Sequence, residues 1–85
     1  MSLETQFQSA ADQVRKFSKK PSDSDMLEIY ALYKQATSGD VNTPKPGDAT
    51  GKAKWDAWSS KKGLDSNAAK EKYIAKVQIL APKFA

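Results

Sequence analysis

The chain contains no cysteine and no histidine. Without cysteine there is no disulfide framework and no thiolate metal site. Without histidine it lacks the commonest general acid–base group and the commonest metal ligand. Its carboxylates are scattered singly along polar faces, and the closest pair, Asp23 and Asp25, stands at a predicted helix start. No nucleophile–base pair presents itself, so no catalytic residue, no metal and no cofactor is expected. Long apolar runs are also missing. The longest spans a few residues, far short of the roughly 20 needed to cross a bilayer. The beginning of the chain is polar and amphipathic, with no apolar signal core. Cytoplasmic residence without stable membrane insertion is the expectation.

Charge of one sign is in modest excess only. Fourteen Lys and Arg against ten Asp and Glu give +4, which suits an anionic ligand or weak attraction to an acidic surface. A nucleic-acid partner is not expected, because the charge is small and no recognition motif is present. At 85 residues the chain makes one domain, near the lower size limit for a core without staples.

What the chain does have is helical periodicity, densest over residues 26–37. At about 100° per residue, Tyr30, Tyr33 and Lys34 fall within roughly 100° of one another. Met26 and Leu27 sit one turn earlier on the same side, while Ile29, Leu32 and Ala36 continue the apolar surface the other way. The combined arc is roughly 220° wide, whereas a surface helix on one core needs a stripe only somewhat wider than about 100°. The excess reads either as a second face lining a cleft for something flat, anionic and greasy, or as a deeply buried helix with core tyrosines.

Taken in order, Leu3, Phe7, Ala10, Ala11, Val14 and Phe17 predict a first helix from residue 3 to about 19, stopped by Pro21. Arg15 lies beside its apolar stripe and reads equally as a solvated arginine. Ser22 opens the second helix, with Asp25 placed to complete a capping box, and Gly39 ends it. From Asp40 to Thr50 the pattern fails. This connection of about eleven residues is long for a helical domain, where about 2 to 8 is usual, and it allows the next helix to run parallel to the last. A short basic third helix is expected over residues 51–62, with Trp55 and Trp58 on one face as core or as ligand platform. Asp65 is the expected cap of a fourth helix carrying Ala69, Tyr73, Ile74, Val77 and Leu80, and Pro82 predicts its end near Leu80 or Ala81. Tyr73 is core or site on spacing alone. The fold expected is all-α, a bundle of four helices in a single domain.

Two blocks then stand out: Tyr30-Ala31-Leu32-Tyr33-Lys34-Gln35-Ala36-Thr37, followed by Gly39-Asp40, and Gly51-Lys52-Ala53-Lys54-Trp55-Asp56-Ala57-Trp58. In this order and spacing, with Pro46-Gly47 between them, they closely resemble the acyl-CoA-binding protein family. The resemblance implies an up-down-down-up four-helix bundle with a long connection between helices 2 and 3. It implies a non-catalytic carrier of long-chain fatty acyl-CoA esters, monomeric, making transient contact with acyl-CoA-using enzymes or membranes. By the same resemblance Tyr30, Lys34 and Lys54 hold the 3′-phosphate of CoA, Tyr33 lies beside the adenine, and Tyr73 joins from the fourth helix. Arg15 stands where a basic residue of the first helix is usual, with Ala11 near the same part of the ligand. Met26 and Leu27 border the acyl chain. A helical protein-interaction module that keeps the bundle and has lost the ligand is the alternative, disfavoured by the retention of Tyr30, Tyr33, Lys34, Lys54 and Tyr73 together.

One departure from the family pattern carries an expectation of its own. Pro46-Gly47-Asp48-Ala49-Thr50-Gly51 is two residues shorter than usual, with Ala49 and Thr50 at the places of an aromatic and a basic residue. A more open rim is expected, with Lys52 as the candidate substitute for the missing cation.

Overall fold

The computed structural model describes residues 2–85. Four helices form: α1 (Leu3–Arg15), α2 (Asp23–Ser38), α3 (Ala49–Ser59) and α4 (Ser66–Phe84). The expected all-α bundle is what the chain adopts. Each helix begins on a side chain that accepts an otherwise orphaned N–H: Ser2 from Thr5, Ser22 from Asp25, Asp48 from Gly51, and Asp65 from Asn67 and Ala68. Gly39, at φ +79°, and Gly63, at φ +89°, turn the chain after α2 and α3, in a region that a side chain would strain.

The ends of α1 and α4, and both ends of α3, which closes at Ser59 and not at residue 62, differ from the periodic reading. Helix α1 stops at Arg15, earlier than residue 19. Its end tightens through Lys16 N–H to Gln13 O and Phe17 N–H to Val14 O. Phe17 then leaves the helix line to meet Phe84 of α4, ring centroids 6.4 Å apart. The Asp25 carboxylate reaches Lys76 of α4 at 2.8 Å, so it ties two helices together where a capping box was expected. Helix α3 starts two residues before Gly51, at Ala49, because Asp48 serves as its cap. A Cβ at Gly51 would lie 2.6 Å from that cap's Oδ1 and 2.8 Å from Pro46 Cβ, so the absent side chain makes room for both.

Pro82 does not stop α4, which runs through it to Phe84. A proline in the last turn removes a single helical N–H, and the carbonyl it would have served belongs to exposed Gln78, where water can take its place. The turn beyond is held from outside. Lys19 N–H and Ser18 Oγ–H donate to the Phe84 carbonyl at 3.1 and 3.3 Å, and Ala85 N–H returns to Ala81 O.

Cross-links give the helix directions. Glu4 meets Lys70 at 2.7 Å and Phe17 meets Phe84, start to start and end to end, so α1 and α4 are parallel. Helix α2 opposes α4, since Asp25 near its start binds Lys76 and Gln35 near its end donates to Leu64 O at 2.9 Å. Helix α3 follows α2: Trp58 Nε1–H donates to the Gly39 carbonyl at 2.8 Å, late residue to late residue. The order is up-down-down-up, with the long connection between α2 and α3.

The core lies where α1 and α2 each pack on α4, around Phe7, Ile29, Leu32, Tyr73, Val77 and Leu80. Helix α3 packs on α2 alone, and α1 and α2 do not pack backbone against backbone. The result is a slab 34 × 28 × 15 Å. Because α3 packs on α2 and α1 and α2 do not meet backbone to backbone, both flanks of α2 reach the surface.

Buried Gln35 fastens the end of α2. Its Nε2 donates to Asp40 Oδ1 and Leu64 O, both at 2.9 Å, and Asp40 Oδ1 also accepts from Gly63 N–H at 2.8 Å. The Gly63 bond first, and then the Gln35 bond, hold the Asp40 carboxyl below its ordinary value of 3.8. A depressed carboxylate stabilises the fold above its unfolded value and loses that contribution as pH falls through the folded one. Asp40→Ala is therefore expected to be less stable than the parent in urea at neutral pH, with the gap narrowing as pH drops below 3.8. A gap that stays constant into the acid range contradicts the clasp.

Candidate functional site

Both flanks of α2 carry a groove. Between α2 and α3 lies one of about 610 Å³, lined by Lys20, Asp23, Met26, Leu27, Tyr30, Ala49, Thr50, Ala53 and Lys54. Between α1 and α2, floored by α4, lies a smaller one of about 230 Å³, lined by Ala11, Val14, Arg15, Met26, Ile29, Tyr30, Tyr33 and Tyr73. Met26 and Tyr30 face both, so α2 is a shared wall. This is the structural content of the over-wide arc.

Two lysines cross the α2–α3 seam in opposite directions. The Lys54 ammonium of α3 lies 5.4 Å from the ring centroid of Tyr30 on α2. The Lys34 ammonium of α2 lies 5.0 Å from that of Trp58 on α3. Since 30 to 34 and 54 to 58 are each one helical turn, the two cation–π pairs stack along the same seam. Such contacts give about 0.5–1 kcal/mol at exposed sites, enough to bias where a flexible ammonium rests. Among the described residues neither lysine has a carboxylate partner, whereas Lys45, Lys61, Lys70 and Lys76 each do. Lys34 and Lys54 are cations held in place with their charge uncompensated.

The smaller groove is aromatic. Phe7 stacks on Tyr33 at 5.5 Å and meets Tyr73 edge-on at 5.0 Å, with Tyr33 and Tyr73 at 6.0 Å. Tyr73 is 3% exposed. Burial pushes its phenol up to about 12, with Tyr33 adding to the effect and Arg15 opposing it. Arg15, at the mouth, pairs with Asp12 at 3.0 Å while both side chains are mostly exposed. Pairs of this kind contribute about 0–1 kcal/mol, so the guanidinium can exchange its partner for a ligand's anion at little cost.

Of the residues expected at the site, Ala11, Arg15, Met26, Leu27, Tyr30, Tyr33, Lys54 and Tyr73 line one groove or the other. Lys34 stands one turn beyond Tyr30, over Trp58. Lys52 is exposed and lines neither groove. Met26 and Tyr33 also pack against the core, so they serve both faces of α2. Of the tryptophans, Trp58 is buried and Trp55 half-buried; Trp58 Nε1–H donates to Gly39 O and Trp55 Nε1–H to Thr43 O, both at 2.8 Å, which pins the long connection. Sequence reasoning missed Lys20, Asp23 and Ala53 as lining residues of the larger groove and Val14 and Ile29 as lining residues of the smaller. The spacing of Ala49, Ala53 and Lys54 on one side of α3 was the available signal. Among the described residues no group of three or more His, Cys, Asp or Glu is arranged to hold a metal.

Fold and grooves together define the class: a small all-α binding protein whose open seam is apolar along its length and cationic where Lys34 and Lys54 flank Tyr30. Residues 4–77 match the sequence model of the family described as acyl CoA binding protein. The acyl-CoA-binding protein homolog of Manduca sexta is 52% identical over 83 residues, covering 94% of this chain and 92% of that protein. The acyl-CoA-binding protein homolog of Drosophila melanogaster is 50% identical over 82 residues, covering 94% and 95% respectively. The crystal structure of Oryza sativa acyl-CoA-binding protein 2 superposes with a TM-score of 0.91 at 36% identity, over 96% of this chain and 93% of that one. The chain belongs to the acyl-CoA-binding protein family.

The buried phenol gives an alkaline prediction. A group whose folded value is raised keeps its contribution below the unfolded value of 10.0 and loses it as pH climbs towards about 12. Tyr73→Phe should therefore flatten the decline of the urea midpoint over that interval. A decline as steep as the parent's contradicts the burial of the hydroxyl.

Proposed function

We propose that this protein binds long-chain fatty acyl-CoA esters and buffers and carries them, as a non-catalytic monomer of the cytoplasm. In this reading Tyr30, Lys34 and Lys54 receive the 3′-phosphate of CoA. A phosphate with nearly two negative charges calls for two cations and a phenolic donor, because charge-assisted hydrogen bonds are roughly twice as strong as neutral ones. Tyr33, with Ala11, Arg15 and Tyr73 around the smaller groove, offers the adenine an aromatic and partly cationic bed, by the stacking logic of single-stranded nucleic acid sites. Met26 and Leu27 take the acyl chain, at ~0.8 kcal/mol for each methylene buried. Lys52 acts at a distance, as a rim cation that raises the local positive potential.

The observation that carries this reading is the pair of ring-held, carboxylate-free lysines across Tyr30 at one end of an apolar groove. Delivery would then proceed by transient contact with acyl-CoA-using enzymes or membrane surfaces. No helix among the described residues is long and apolar enough to cross a membrane.

Lys34→Ala is expected to weaken binding of a long-chain acyl-CoA by roughly 1.5–3 kcal/mol, the scale of a hydrogen bond to a charged group. With the ester of dephospho-CoA, which lacks the 3′-phosphate, the loss should shrink. Titration calorimetry of both esters against parent and variant decides it, and an equal loss for the two removes Lys34 from the phosphate.

A further inference from the structure

Among the described residues that line the α2–α3 groove, Lys20 is the one that belongs to neither helix. It stands in the connection from α1 to α2, ahead of Asp23 on the α2 wall, and so at the end of the groove remote from Tyr30 and Lys54. Lys20 is exposed, and among the described residues no ion pair holds its ammonium. Lining a groove while lying exposed suits a long side chain whose methylene stem covers apolar surface and whose charge stays in water.

What places Lys20 is its backbone. Directly after it comes Pro21, which is buried and restricts the residue ahead of it to extended conformations. Directly before it, Lys19 N–H donates to the Phe84 carbonyl of α4 at 3.1 Å. Ser18 Oγ–H is shared between the carbonyls of Phe84 and Ala85, at 3.3 and 2.9 Å, and the Phe17 ring meets that of Phe84 at 6.4 Å. Three consecutive residues, Phe17, Ser18 and Lys19, are thus fastened to the end of α4. Among the described residues none of α4 lines the α2–α3 groove, yet the last turn of α4 fixes where the end wall of that groove stands.

Resting on the acyl-CoA reading of the same groove, we infer that the Lys20 stem covers the acyl chain at this end, and that Ser18 and the last turn of α4 are its positioning groups. A chain lying on Met26 and Leu27 meets the Lys20 methylenes as it leaves the groove, and both surfaces are withdrawn from water. The contact is made to the acyl part alone, so the nucleotide end does not sense it. Fastening the connection in advance also spares the entropy of ordering it when the ligand arrives.

Titration calorimetry with palmitoyl-CoA and with free CoA, on the parent, Lys20→Ala, Lys20→Met and Ser18→Ala, tests both halves. Lys20→Ala should raise the Kd of palmitoyl-CoA roughly tenfold, the effect of about two methylenes left in water, and should not move that of free CoA. Lys20→Met, which keeps a stem of similar length without the charge, should recover most of the loss. Ser18→Ala keeps Lys20 itself and should raise the palmitoyl-CoA Kd about threefold, with Ser18→Thr restoring it. A purely structural role for Ser18 would shift the thermal midpoint and leave the Kd of the folded protein unmoved. If Ser18→Ala does not fold, Phe84→Leu loosens the same fastening and supplies the same readout. Equal losses for palmitoyl-CoA and free CoA, a Lys20→Met as weak as Lys20→Ala, or a folded Ser18→Ala that binds like the parent overturns the inference. A parent that binds no palmitoyl-CoA would instead overturn the acyl-CoA reading beneath it.

Discussion

Among the described residues, helix α3 packs its backbone against α2 and against no other helix, and the candidate site depends on that one-sided attachment. A third helix laid across α1 or α4 would cover the flank of α2 that carries Met26, Leu27 and Tyr30. What keeps α3 alongside α2 is a set of directional bonds near the end of α2. Trp58 and Trp55 donate their indole N–H groups to Gly39 O and Thr43 O, and Asp40 accepts from Gln35 and Gly63. Gln35 gives both its donors here, and its buried Oε1 meets no donor among the described residues. An unmet acceptor of this kind costs stability, so the clasp contributes alignment of the helix ends at some expense to the fold.

The same arrangement divides labour on α2. Ile29, Leu32 and Ala36 are buried in the bundle. Tyr30 and Lys34 face α3, and Met26 and Tyr30 separate the two grooves. In the proposed reading, affinity scales with buried apolar area, which does not discriminate strongly among chains. The nucleotide end supplies direction and specificity through charge-assisted bonds that need fixed geometry. Resting the two ammonium groups on Tyr30 and Trp58 prepares that geometry before any ligand arrives, so less side-chain entropy is lost on binding.

Much of the fold was legible because its signals are local. Ser22, Asp65, Gly39 and Gly63 act at the helix ends where their chemistry places them. Three of the misreadings come from distant partners. Phe17 ends α1 by meeting Phe84, Pro82 is tolerated because Lys19 and Ser18 hold the last turn, and Asp25 is drawn to Lys76. At the site, the arc on α2 made a second face readable from periodicity, yet its division into two grooves needs the placement of α1 and α3. The tryptophans are the plainest case. Spacing put them on one face, but only three dimensions show both N–H groups aimed at the connection. The ligand proposed for the grooves came from two sequence blocks, since no periodicity names a ligand.

On the proposed reading the two grooves beside α2 take an apolar chain and a nucleotide together, neither sufficing alone. Calorimetry on the unmodified protein with palmitoyl-CoA, free CoA and palmitate, side by side at one ionic strength, tests it most directly. Tight binding of palmitoyl-CoA, with CoA and palmitate each far weaker, is the expected result. Palmitate binding as tightly as its CoA ester, or no heat with any of the three, would contradict it.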